Sequence, residues 1–302
     1  MMKRRIHVIG ACLVCCLLAT TAHSQLKKRV AVFTFENKAR SGSHWWDGKD
    51  PGDGMADMLT TDLVKSGKYV VIERQEIAGI LDEQKLGQSG LVTPESAVQM
   101  GKLLGVELAV MGAVTEFGWT KGGTGGRIKG IGIGVKKQTA TVAIDVRFVN
   151  TTTGEILAAE NVRKEKSSGG ISISTPKGAF NNRNDFDSSL IGKATRECVD
   201  SMLDLIDKQM EQLPWEGKII LVKEADIYIK PGSDAGVNIG DTFAVYSEGQ
   251  ELIDPDTGIS LGSEETKIGS IEVTSIISGG KAAKATVKMG SGFKKGDLVR
   301  LK

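Results

Sequence analysis

Few residues in this sequence have the types that catalysis requires. Past residue 24 its one histidine is His44 and its one cysteine is Cys198. A nucleophile-base-orienter system would have to use His44, which lies among Gly, Ser and Asp residues and so reads as a solvated loop histidine. A zinc site needs three or four ligands, mostly His or Cys, which two such residues do not supply. Lys121-Gly122-Gly123-Thr124-Gly125-Gly126 is glycine-rich like a phosphate-cradling loop. It lacks the Gly-Lys-Ser/Thr ending and leads into no helix, so it reads as the glycines of a hairpin. Asp47, Asp50, Asp53 and Asp57 fall at three- and four-residue spacing and could gather Ca²⁺. They do not match the twelve-residue calcium loop and read instead as carboxylates at the positive end of a helix. Asp254-Pro255-Asp256-Thr257-Gly258 reads as a turn. The expectation is a chain with no catalytic residues, no metal and no cofactor.

Trp45 and Trp46, between His44 and Asp47, are the remaining feature. Two large aromatics in a polar loop suit a contact site, because exposed apolar area usually marks one. Two readings stay open: they line a constriction or a subunit contact, or they fold back onto the sheet of their own domain.

The elements that position these residues follow from periodicity. Arg29 to Glu36 alternates as a strand, and Asn37 to Asp53 is a Gly/Ser/Asp loop. The spacing of Met55, Met58, Leu59 and Leu63 predicts a helix that Gly67 stops. Tyr69 to Ile72 is a second strand. Arg74 to about Gln84 is a second helix, with Ile77, Ile80 and Leu81 inward. Thr93-Pro94 opens a third, as cap and first helical residue, and Gly105 closes it. Leu108 to Met111 is the next strand. Strands alternating with helices predict an α/β layer arrangement. After Val114 the pattern becomes α+β: Val142, Ile144, Val146 and Phe148 mark a half-buried strand. Thr151 to Glu155 forms the turn, and Ile156 begins the returning strand. A long amphipathic helix starts near Phe186, runs through Leu190, Ala194, Cys198, Met202, Leu205 and Ile206, and ends at Pro214. From Gly217 to Lys302 the sequence offers short strands and turns only. Gly240-Asp241-Thr242-Phe243-Ala244-Val245 and Gly296-Asp297-Leu298-Val299-Arg300-Leu301 are alike, each a Gly-Asp turn launching a strand. The expected divisions are 1–24, 25–214 as a three-layer-like α/β domain with a mixed sheet and long hairpins, and 215–302 as a small all-β barrel.

The N-terminus bears on location. Lys3, Arg4 and Arg5 precede an apolar run from Ile6 to about Leu18, and Ala22-His23-Ser24 predicts cleavage before Gln25. The run is shorter than the ~20 residues a membrane-spanning helix needs. Cys12, Cys15 and Cys16 fall in this leader, so the body has no internal disulfide. Ile9-Gly10-Ala11-Cys12 loosely fits a lipidation box, with an apolar run short for that role. Taking three leader residues from the 39 basic ones leaves 36 against 37 acidic. Such a balance offers no global field for nucleic acid. An exported protein of the periplasm or outer membrane is expected.

Several stretches resemble the CsgG family. They are Gly54-Met55-Ala56-Asp57-Met58-Leu59, Ile72-Glu73-Arg74-Gln75, and Val149-Asn150-Thr151-Thr152-Thr153-Gly154-Glu155-Ile156-Leu157. A strand ending at Gly112-Ala113-Val114 lies between, and Leu86-Gly87-Gln88-Ser89-Gly90-Leu91 is also typical. The resemblance runs from about Val30 to Met210. The last 85 or so residues resemble, more weakly, the C-terminal domain of a flagellar T-ring assembly protein. The CsgG resemblance implies a periplasmic domain that assembles into a homo-oligomeric ring. Two hairpins per subunit would join a shared transmembrane barrel, and a loop after the first strand would narrow the pore. Unfolded protein cargo would pass without nucleotide hydrolysis. Carried onto this chain, the hairpins fall at about Phe117–Gln138 and Lys166–Asp187, and the narrowing loop at about Asn37–Asp53.

The chain also departs from that pattern. A lipid-facing strand needs about 9–11 residues of outward apolar alternation. Ile131, Ile133 and Val135 alternate with glycines, but Lys129 and Lys137 bracket them. Ile171 and Ile173 form the second candidate, cut short by Pro176 and Lys177. The Tyr, Asn and Phe at the curli exporter's constriction have no clear counterparts here. Two classes therefore stay open: a ring-forming secretion channel, and a periplasmic structural protein whose C-terminal domain holds an envelope partner.

Overall fold

The computed structural model describes residues 26–39, 45, 48–72, 105–128, 131–169, 182–253, 255 and 260–302. The helices expected at 74–84 and 93–105 lie outside them, apart from Gly105 itself, as do the candidate residues His44, Trp46, Asp47, Ile171 and Ile173.

The first sheet is mixed. β1 (Arg29–Val32) is flanked in parallel by β3 (Val70–Ile72) and β4 (Leu108–Ile128). β4, β5 (Ile131–Asn150) and β6 (Ile156–Gly169) follow antiparallel, giving the order β3-β1-β4-β5-β6. The strand expected over Arg29 to Glu36 is split. Its end, β2 (Glu36–Asn37), shifts along the sheet to pair with Ala113 and Val114 of β4. The chain must pass the start of helix α1 (Pro51–Ser66), where Gly52 comes so close to the Phe35 carbonyl that a Cβ would overlap it.

α1 is capped by Asp50, whose side chain accepts from the Gly52 N–H, and stopped by Gly67 at φ 65°. Gly67 can adopt that left-handed angle without the cost a Cβ would impose. Met55, Leu59 and Leu63 are fully buried against Val30, Val32, Leu108 and Val110. The helix expected as one element from Phe186 is two, α2 (Arg183–Ser188) and α3 (Leu190–Gln212). Ser189 separates them with an extended backbone (φ −73°, ψ 163°), and its hydroxyl caps α3 at Gly192 N. A serine between two helical runs of similar apolar spacing is a cap rather than a mid-helix residue. Ala194, Cys198, Met202 and Ile206 of α3 then complete the core over β5 and β6.

Beyond Leu213, six strands close into a barrel in the order β10-β11-β8-β7-β12-β9. They are β7 (Glu216–Lys223), β8 (Asp226–Lys230), β9 (Thr242–Ile253), β10 (Ser260–Ile276), β11 (Ala283–Gly290) and β12 (Leu298–Leu301). Trp215, Ile219, Ile229, Phe243, Val245 and Val299 fill it. The two Gly-Asp turns are built alike. Gly240 and Gly296 both take positive φ (93° and 100°). Their N–H groups donate to Val273 O and Ile219 O, each at 2.8 Å. The Asp that follows accepts a backbone N–H three residues earlier, Asn238 for Asp241 and Lys294 for Asp297, again at 2.8 Å. The strands they launch, β9 and β12, pair with one another from Phe243↔Leu301 to Tyr246↔Leu298.

Candidate functional site

The longest regular feature is the β4–β5 hairpin. Its ladder is continuous from Leu108↔Asn150 to Ile128↔Ile131, with one irregularity between Val114 and Glu116. That irregularity places Thr115 as an extra residue and reverses the alternation of β4. Leu108, Val110 and Val114 belong to the core before it; Phe117 belongs to the same core after it, with Trp119 packed against it. Without the bulge, Phe117 would face away. β5 needs no such correction: Ala140, Val142, Ile144, Val146 and Phe148 all enter that core.

Among the described residues, β6 accompanies the pair as far as Lys137↔Gly169. From there Gly122–Ile128 and Ile131–Lys137 continue as a paired ribbon. At about 3.4 Å per residue, the six steps from Lys137 to Ile131 carry the ribbon roughly 20 Å past its last triple pairing. Ile131, Ile133 and Val135 occupy alternate positions there, in register with Ile128, Gly126 and Thr124. The first glycine-rich segment is therefore paired strand, continuous with the domain sheet.

At the root of the ribbon, Trp45 meets two other aromatics. Its ring centroid is 6.0 Å from Phe117 and 4.5 Å from Phe186. Trp45 is 4% exposed, and Gly54 of α1 lies so close beneath the indole that a Cβ would overlap it. Of the two readings of this tryptophan, the inward one is the one the structure contains. As a lining residue of a constriction Trp45 is corrected, because its apolar area is already spent on its own core. The three rings come from three separate segments: the loop before α1, the start of the ribbon on β4, and α2, which follows residues 170–181. No periodicity in the sequence links them, so sequence reasoning missed both Phe117 and Phe186. Phe186 is itself held by Gly192, whose Cβ would overlap the Phe186 carbonyl oxygen.

Two buried groups near these elements have shifted acidities without forming a reaction centre. Burial pushes the Cys198 thiol up to about 12, and its S–H points at the carbonyls of Val142 and Val162 (3.5 and 3.8 Å). Burial also raises the Glu107 carboxyl to about 7, against the opposing pull of the Arg29 N–H it accepts at 2.6 Å. Among the described residues no group of three or more His, Cys, Asp or Glu is arranged to hold a metal, and no helix is long and apolar enough to cross a membrane.

Comparison with known proteins gives one family. The family model for the curli production assembly/transport component CsgG matches residues 15–223. The curli production assembly/transport components CsgG of Salmonella typhimurium strain LT2 and of Escherichia coli K12 are each 32% identical over 113 residues. That alignment covers 35% of this chain and 41% of theirs, so the chain spans about two fifths of the length of the curated relatives it matches. Among solved structures, the hypothetical protein CT253 from Chlamydia trachomatis is similar at 16% identity and a TM-score of 0.39, over 60% of this chain and 96% of that one. That likeness is too distant to bear on function. The family match spans well over half of the sequence, and the chain belongs to the CsgG family of curli production assembly/transport components.

Proposed function

We propose that this chain is a non-enzymatic envelope protein that assembles with copies of itself into an outer-membrane secretion pore for unfolded protein. The observation that carries the reading is the β4–β5 ribbon, whose paired strands carry the domain sheet outward past its core. A long hairpin standing away from its domain core is marginal in water by itself, and strand edges invite further strands. A membrane removes that choice, since only a closed barrel satisfies every strand edge in lipid. Ribbons from neighbouring copies, side by side, give such a closure. Past the last core pair, Trp119↔Ala140, each arm has nine residues, 120–128 and 131–139, at the lower end of the about 9–11 that a tilted spanning strand needs.

Within this reading the second segment, with Ile171 and Ile173, supplies the other hairpin; its expected end at Asp187 is corrected, since Arg183–Ser188 is helix α2 with Phe186 in the domain core. The loop Asn37–Asp53 supplies the narrowing. His44, Trp46 and Asp47 are its lining or subunit-contact residues, and Trp45 is the anchor that fixes the loop to the ribbon root. The barrel domain, 215–302, holds an envelope partner. No cofactor enters at any step.

One observation favours a periplasmic structural role without a pore. Arg127, Lys136 and Lys137 lie within the ribbon strands, and cations on a lipid-facing surface are unfavourable at depth. Planar-bilayer recording of the purified protein separates the two. Stepwise conductance, altered by Trp46→Ala, is expected of the pore. Silent bilayers at protein levels where a known porin conducts would leave the structural role.

A further inference from the structure

A cleft of about 520 Å³ lies where the first domain meets the barrel, lined from one side by Arg29, Glu107 and Thr151 and from the other by Glu216, Lys218, Lys230 and Arg300. Its volume falls in the range of small-molecule sites. The charges across it are unevenly matched. Arg300 is satisfied: its guanidinium binds Glu216 Oε2 at 2.7 Å and Glu265 Oε1 at 2.7 Å. Arg29 donates to the Gly105 carbonyl at 3.0 Å and has the buried Glu107 beside it.

Lys218 and Lys230 have no such match. They sit directly opposite one another in the β7–β8 ladder, and like charges in that relation are destabilising. Neither side chain makes a hydrogen bond or ion pair with another described residue. Lys230 is half-buried, and its ammonium is held below the usual lysine range by burial first, then by Arg29 and Lys218. An ammonium taken from water beside two other cations is costly unless an anion joins it. The remaining carboxylate on the lining, Glu248, is exposed to solvent.

We propose that this cleft binds an anionic ligand through a carboxylate or phosphate group seated between Lys218, Lys230 and Arg29. The site uses residues of both domains, so a bound ligand joins the barrel to the sheet. It is independent of whether the ribbon forms a pore.

Isothermal titration of the full-length protein with sodium phosphate, and separately with sodium succinate, tests this at constant ionic strength with chloride as reference. Saturable binding of either is expected, and which one binds names the group. Lys218→Met with Lys230→Met should weaken it roughly tenfold or more, the loss expected for charge-assisted hydrogen bonds. The same double variant should melt no lower than the parent without ligand, because the repulsion is gone. Lys218→Arg with Lys230→Arg should keep binding within a few-fold. Heats no larger than chloride for both anions, or undiminished affinity in a folded Met variant, would overturn the proposal. The titration of the unaltered protein decides alone if that variant does not fold.

Discussion

The ring of Trp45 lies against that of Phe186 at 4.5 Å between centroids and 43° between planes. This contact fastens the loop before α1 to helix α2, which occupies the end of the second candidate segment. With Phe117 at 6.0 Å, it gathers at one point the three segments that the channel reading uses. Trp45→Ala should therefore lower stability by about 3–5 kcal/mol, the range for removing a buried aromatic. Phe186→Ala should cost a similar amount. Thermal melting of the two single variants and the double variant checks this; additive losses would mean that the rings do not act together.

Gly54 leaves no room for a side chain under the Trp45 indole. Gly54→Ala, ordinarily a favourable change inside a helix, should here destabilise by about 1–3 kcal/mol through overpacking. Gly67→Ala removes a left-handed cap in open space and acts through backbone strain instead. Near-ultraviolet circular dichroism distinguishes them, since Gly54→Ala should alter the tryptophan signal and Gly67→Ala should not.

Glu107 is buried, with its carboxyl raised to about 7. The folded protein therefore holds a proton that the unfolded chain has lost between about pH 4.5 and pH 7. The stabilisation is complete below the unfolded value and is lost as pH rises through the folded one, flattening above it. The slope amounts to roughly 3 kcal/mol across that window. Glu107→Gln keeps an acceptor for the Arg29 N–H and should remove this component of the pH dependence. Denaturant titrations at pH 5 and pH 7.5 on both proteins measure it, and identical slopes would contradict the assignment.

Cys198 is fully buried, with its thiol pushed up to about 12. Thiolate chemistry needs exposure and a low pKa, so a soluble maleimide should leave the folded protein unlabelled and react quickly in denaturant. Rapid labelling of native protein would show that α3 opens away from the sheet.

Much of the fold could be read from local pattern. The stripe of Met55, Leu59 and Leu63 and the stop at Gly67 specify α1 without reference to anything distant. The twin Gly-Asp turns announced β9 and β12 because Gly240 and Gly296 each need a positive φ that their sequence advertises. What escaped reading depends on non-local partners. The bulge at Thr115 is set by the need to keep Phe117 in the core with Val114, which nothing around Thr115 signals. The break at Ser189 hid inside an unbroken apolar spacing. Trp45 looked like a contact residue because its neighbours are polar; its partners, Phe117 and Phe186, are far away in the chain. Lys218 and Lys230 fall in a stretch that reads only as short strands and turns, and their register shows once β7 and β8 are paired.

The ribbon gives the most direct prediction about location. Ile131→Asp with Ile133→Asp should leave the core of the domain intact, since the ladder there is six or more residues beyond the last core pair at Trp119↔Ala140. A lipid-facing strand loses about 2–4 kcal/mol for a strongly disfavoured charge at the midplane, less for Asp. The variant should therefore shift from the membrane fraction to the soluble envelope fraction while keeping its melting temperature.

The measurement that bears most directly on the pore is electron microscopy of native protein extracted from envelope membranes with detergent. A pore should appear as rings crossed by a detergent belt, with protein that resists release by high salt. Single particles without a belt, freed by salt alone, would contradict it and leave a periplasmic structural protein of the CsgG fold.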